Sequence, residues 1–226
     1  MALAEYDFNL TRNEIIERAY RIIGKLSVGE TMSAEMLQQA IIALNSMVKS
    51  WQSRNVFLWT LKDFTQTLTA GVTSYSLASS DPPFYAIDSA YLRIDNSDRP
   101  MDVASWRQYT DIYDKTVAGD PTLVALNNAI TPTMYLWPVP SQTRTMYFTG
   151  LVKLKDFDSA GQNPDFPVRY LEALTFGLAH KLACEYGLPI AERRELERLA
   201  QQEFGESKAG ETRERAEFEF VSGAFD

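Results

Sequence analysis

A single cysteine, Cys184, and a single histidine, His180, are all that 226 residues hold of the two types on which much enzyme and metal chemistry depends. One thiol closes no intramolecular disulfide and builds no cysteine-based metal site. One imidazole removes most zinc coordination and any paired-histidine acid–base scheme. Long apolar runs are missing too: no stretch of roughly 18 apolar residues occurs, so no membrane-spanning helix is expected. The opening residues, MALAEYDFNLTRNE, lack a basic flank and an apolar centre, so they do not read as a secretory signal and a cytoplasm-like compartment is expected. Positive charge is short as well. With 22 Lys and Arg against 30 Asp and Glu, the chain carries −8 and a pI near 4.8. A protein that grips DNA by its phosphates needs a basic footprint, so nucleic-acid binding is not expected. Phosphate-cradling glycine loops, a nucleophile elbow and a dinucleotide fingerprint are all absent.

What is present is an ordinary globular composition, 45% hydrophobic and 23% charged, with 12% aromatics. TRNE places Thr11 and Glu14 at capping-box spacing, and Ile15, Ile16, Ala19, Tyr20, Ile22 and Ile23 then make an apolar face closed by Gly24 or Gly29. Ser33 caps a second helix whose stripe runs Leu37, Ile41, Leu44, Val48, Trp51. These two helices predict an antiparallel hairpin. From Phe64 the period falls to two, and FTQTLT-AG-VTSYSL predicts a β-hairpin around Ala70 and Gly71. FYAIDSAYLRI predicts a strand ended by a turn at DNSDRP, and MDVASWRQYTDIYDK a strand followed by a short helix. Three strands are expected between Ala118 and Phe157, with Pro138 and Pro140 at a strand end and turn because neither can donate to a ladder. Pro167 suits the start of an apolar helix that Gly187 stops, and a charged helix follows from Pro189.

This order predicts an α+β fold. Terminal helices form a bundle (1–60 and 159–204), an antiparallel β-region (61–158) is inserted between them, and residues 205–226 make an extended tail, in which Gly205 to Glu217 lacks a core signal and is a solvated helix, a tail or a segment ordered only by a partner.

Few groups offer chemistry. His180 and Cys184 stand one helical turn apart, but a thiolate pair needs an exposed, positive setting and this helix reads as buried. Packing is the stronger reading for both. Carboxylate pairs drawn from Glu172, Glu185, Asp156, Asp158 and Asp165 leave open an alternative function, a cell-wall (peptidoglycan) hydrolase. Acids in so acidic a chain are more often solvated faces. No catalytic, cofactor-binding or metal-binding residue is therefore assigned. The final stretch is different: Phe218, Phe220, Val221 and Phe225 alternate with Glu and small residues where chain ends are usually polar. Such aromatics suit anchors on another protein, or a tail folded back on its own subunit.

Three stretches resemble the head-to-tail adaptor (connector, or tail tubular protein A-like) family of short-tailed bacteriophages. The first is QQAIIALNSMVKSWQSRNVFLWTLKDFTQTLTAGVTSYSL, with Leu44, Asn45, Met47, Trp51 and Trp59 in the family's spacing. The second is YLWPVPSQTRTMYFTGLVKLKDFD and the third FPVRYLEALTFGLAHKLACEYGLP. The resemblance implies a structural virion protein of the tail or neck, assembled in the host cytoplasm, with no enzymatic activity and no cofactor. It implies a ring of twelve copies beneath the portal protein that extends the DNA channel and docks the tail nozzle or tube. Double-stranded DNA would pass through the lumen without specific binding, and a net charge of −8 per copy agrees with that. C-terminal segments of the family reach onto the portal, a role that Phe218, Phe220, Val221 and Phe225 would fill. Trp51 and Trp59 would brace the joint between helices and sheet.

Overall fold

A computed structural model describes residues 9–54, 60–77, 83–127, 129, 132–158 and 166–222, with side chains described as far as residue 210. The chain begins with α1 (Arg12–Ile22) and α2 (Ala34–Arg54), followed by β1 (Leu61–Leu68), β2 (Ser74–Ser76), β3 (Phe84–Ile94) and β4 (Ser97–Ala104). A short helix α3 (Trp106–Thr110) precedes β5 (Ala118–Gly119), β6 (Leu123–Leu126), β7 (Thr133–Trp137), β8 (Val139–Pro140) and β9 (Arg144–Val152). The last helices are α4 (Leu171–Glu185) and α5 (Ile190–Ser222). The fold is α+β, and the chain divides into two compact units. Met1–Asn55 joins Leu154–Asp226 in a helical unit, and Val56–Lys153 forms a sheet unit.

In the helical unit, local chemistry sets the ends. Thr11 and Glu14 form the expected capping box, with Thr11 N donating to Glu14 Oε2 at 2.7 Å. Gly24 takes φ +66, so Lys25 N reaches back to Tyr20 O at 2.9 Å and Gly24 N to Arg21 O at 3.0 Å. Gly187 repeats the device on α4, with Leu188 N on Ala183 O at 3.0 Å. In each case glycine avoids the Cβ clash of a left-handed residue. Ser33 Oγ accepts from Met36 N at the head of α2.

The hydrogen bonds from Thr11 hold the Glu14 carboxylate below its ordinary range. A depressed folded pKa contributes stability above the unfolded value, and that contribution is lost as pH falls through the folded value. Thr11→Ala is expected to cost about 1 kcal/mol at neutral pH. Urea melts should show the gap to wild type narrowing as pH drops below the ordinary 4.5.

α4 is the hub, since α1, α2 and α5 all pack on it. It can serve all three because it is apolar around most of its circumference, burying Leu171, Leu174, Leu178 and Leu182 with the small Ala173, Gly177, Ala179 and Ala183 between them. The helix begins later than Pro167 suggests, after a 3-10 turn over Val168–Tyr170. The buried face of α2 is Ala40, Ala43, Leu44, Met47 and Val48, a rotation from the expected stripe. The two alanines permit a close approach, which leaves Leu37, Ile41 and Trp51 half-buried at the stripe's edge. Arg12 is buried at the head of α1, where it donates to Phe157 O at 3.1 Å and to Asn13 Oδ1. Lys49 pairs with Asp156 at 2.9 Å and donates to Leu154 O, so residues 154–157 are strapped to α2.

α5 runs on through Gly205 to Ser222, so of the readings open for this segment the helix holds and the extended tail does not begin at Gly205. Ser207 is buried, and its hydroxyl donates to Arg169 O at 2.7 Å, so packing extends past Gly205.

In the sheet unit, the seven-stranded order is β1-β9-β3-β4-β6-β7-β2, and β5 pairs with β8 in a separate two-stranded sheet. The expected hairpin between β1 and β2 does not form. β1 pairs with β9, β2 pairs with β7, and Gly71 (φ +80) turns a corner between them, its N–H on Pro140 O at 2.8 Å. Residues 69–73 span at most roughly 20 Å. Seven flat strands would hold the edge strands roughly 29 Å apart. The sheet therefore curls, and one face becomes an interior. DNSDRP is also more than a turn: Asp95 and Asn96, both at positive φ, make a two-residue hairpin, and Ser97–Ala104 continues as β4. Pro100 is tolerated because β4 pairs with β6 only from Asp102 onward, leaving that edge free at Pro100. The helix after this strand is as expected, with a second capping box from Ser105 and Gln108.

The interior holds Leu68, Leu92, Met134, Leu136 and Met146 around a trio of rings. Phe64, Phe84 and Phe148 stand with centroids 5.0–5.3 Å apart. Gly150 makes room for them, because a Cβ there would lie 3.2 Å from Phe64 and 3.3 Å from Phe84. The opposite face of the same strands stacks Tyr91 on Tyr147 at 5.1 Å, with the Arg93 guanidinium 4.6 Å above Tyr147 and bonded to both oxygens of Asp98.

Candidate interaction site

His180 and Cys184 do meet on α4, with Sγ 4.0 Å from Nε2. His180 Nδ1 lies 3.1 Å from Arg193 O, and a carbonyl only accepts, so the proton sits on Nδ1 and Nε2 faces the thiol. Contrary to expectation, Cys184 is exposed. The imidazole is oriented by a backbone carbonyl of α5 and so helps fasten that helix to α4.

The carboxylates are engaged in packing. Glu172 pairs with Arg18 at 2.9 Å, Asp156 with Lys49 at 2.9 Å, and Glu185 accepts from Gln39. Glu172 and Glu185 stand near opposite ends of α4, roughly 20 Å apart along its axis. Two groups flanking one glycosidic bond must stand within about 10 Å. Asp158 ends the described stretch after β9, and Asp165 lies outside the described residues. Among the described residues, no group of three His, Cys, Asp or Glu side chains gathers around one point.

Of the two joint tryptophans, Trp59 lies outside the described residues, as does Phe225. Phe218, Phe220 and Val221 occupy the last turns of α5, where only the backbone is described. Near the end of α2, Trp51 packs on Phe204 of α5 with centroids 4.7 Å apart. Phe204 in turn meets Tyr170 edge-on at 6.0 Å.

Beside that ring pair a cleft opens between α2, α4 and α5, with a cavity of ≈ 320 Å³. Met47, Trp51, Gly177 and Phe204 are apolar parts of its lining, and Arg54, Lys181 and Glu197 are its charged ones. Gly177 shapes it, because a Cβ there would lie 2.7 Å from Met47 Sδ and 3.1 Å from Trp51 Cζ2. Arg54 is held by Ser50 O and Ser50 Oγ, and Lys181 donates to Ser46 Oγ at 3.3 Å, so neither cation is paired with a carboxylate among the described residues. Sequence reasoning missed this cleft. Its one local sign is a glycine inside the apolar run TFGLAH, whose meaning depends on two helices distant in sequence.

The SU10 adaptor protein family matches the chain over residues 11–219, from the cap of α1 to the last turn of α5. Nothing among the curated proteins matches it. With nearly the whole length covered, the chain belongs to the SU10 adaptor protein family, a family of phage head-tail adaptors, as its resemblance to head-to-tail adaptors implied. It is thus a structural phage protein that associates with other virion proteins at the head–tail junction.

Proposed function

We propose that this protein forms a ring of twelve copies beneath the portal, extends the DNA channel and docks the tail nozzle or tube. The family match across both units is the observation that carries this reading. The helical unit acts as a bundle set against the portal and neighbouring copies, while the sheet unit faces the tail. The residues after α5 supply portal contacts, with Phe225 as an anchor. Net charge of −8 per copy keeps free chains soluble and lets DNA slide past.

Mixing the purified chain with its cognate portal protein should give stacked rings by electron microscopy. A portal that stays bare at micromolar chain concentration would remove the reading. The cut that tests the terminal anchor belongs after Gly210, because Ser207 is packed on Arg169 O. A chain ending there should keep its melting behaviour and bind portal at least about tenfold more weakly, the scale of losing one or two interface anchors.

A further inference from the structure

The geometry points to the cleft between α2, α4 and α5 as the receptor for residues 217–221 of a second copy of this chain. This inference rests on the ring reading, and it gives part of the terminal segment a target other than the portal.

Three observations carry it. The cleft is apolar at its wall, where Trp51 and Phe204 stand 4.7 Å apart, and its ≈ 320 Å³ is ample for aromatic side chains. An engineered cavity of about 150 Å³ holds a benzene. Next, its lining is locally cationic within an acidic protein: Arg54 and Lys181 against the single carboxylate of Glu197. The stretch Glu217-Phe218-Glu219-Phe220-Val221 carries the complementary chemistry, aromatic residues interleaved with carboxylates. On this helix Phe218 and Val221, three residues apart, share one face and would fill the wall, with Glu217 and Glu219 flanking that face towards Arg54 and Lys181, as in a helix end laid in a groove.

The third observation decides which copy supplies the segment. Phe204, which lines the cleft, and Phe218 belong to one continuous helix. Fourteen residues at 1.5 Å each carry Phe218 roughly 21 Å along the axis from its own cleft. An unbroken helix cannot fold back over that distance, so a chain cannot fill its own cleft with these residues. The helix presents them to a neighbour instead, and head-to-tail repetition of one such contact is the kind that closes rings.

The test needs only the full-length chain and a labelled peptide copying residues 213–222, read by fluorescence anisotropy without portal. Saturable binding to the wild-type chain is expected. Arg54→Glu with Lys181→Glu should weaken it at least about tenfold, as reversal of paired charges does. A peptide with Glu217→Lys and Glu219→Lys should regain affinity for that doubly reversed chain. Ala200→Trp, which fills the cleft from α5, should abolish binding with the melting transition intact. If the wild-type chain does not bind the peptide, or Ala200→Trp binds it equally, the cleft is not the receptor. Because portal is left out, that failure leaves the ring beneath the portal standing, whereas stacked rings failing to form with peptide binding intact would count against docking on the portal alone.

Discussion

Phe148→Ala is expected to lower the stability of the sheet unit by about 3–5 kcal/mol, the range for deleting a fully packed ring. Phe148 is 5% exposed and touches both other rings of its trio, Phe64 and Phe84, at 5.3 and 5.2 Å. The loss has two parts, the apolar area returned to water and the cavity left behind. Collapse into that cavity is hindered because Phe64 and Phe84 are held by β1 and β3, which flank β9 on either side. Its neighbour provides the control. Tyr147 points to the opposite face, half-exposed against Tyr91 and Arg93, so Tyr147→Ala should cost only about 1 kcal/mol. Urea unfolding followed through amide hydrogen exchange on β9 would read both. Equal costs at positions 147 and 148 would mean the curled face is not the core.

Gly177→Leu is expected to cost about 3 kcal/mol in the helical unit, at the upper end for overpacking. Even the first added carbon falls 2.7 Å from Met47 Sδ and 3.1 Å from Trp51 Cζ2, so the larger side chain must displace Met47, Trp51 or both. Gly177→Ala separates the contributions. The nearest atom belongs to a flexible thioether that can swing aside, and alanine gains about 1 kcal/mol of helix propensity over glycine. That variant should be close to neutral in a thermal melt. A large loss already at alanine would show that Met47 is pinned. A neutral leucine would show that α2 can lift away from α4.

These two sites also mark what could be read from the residues alone. Helix ends were legible because their chemistry is local: Thr11 with Glu14, Ser33, Gly24 and Gly187 each act within five residues. The alternation through Phe64–Leu68 was equally visible, and β1 is there. Its partner was not. β1 bonds to a strand about 80 residues later, and the Ala70-Gly71 step that signals a hairpin also suits a corner between two edges of one curled sheet. Period tells which side chains share a face, never which strand lies alongside. The cleft failed for the same reason, since Gly177, Trp51 and Phe204 come from three separate helices. The reach of α5 was hidden differently: Gly205 to Gly210 has almost no apolar residue, and a polar contact, Ser207 Oγ on Arg169 O, packs the helix where hydrophobicity gives no sign.

The division of the helical unit between the two ends of the chain has a consequence for synthesis. α1 and α2 leave the ribosome first, yet α4, the helix against which both pack, is completed about 130 residues after Asn55. At ordinary elongation rates that interval is on the order of 10 s. Throughout it, Ile15, Ile16, Leu44 and Val48 lack the surface that covers them in the finished protein. The sheet unit, continuous in sequence, has all its strands by Lys153 and can close in the meantime. The sheet unit can therefore mature while α1 and α2 still wait on α4.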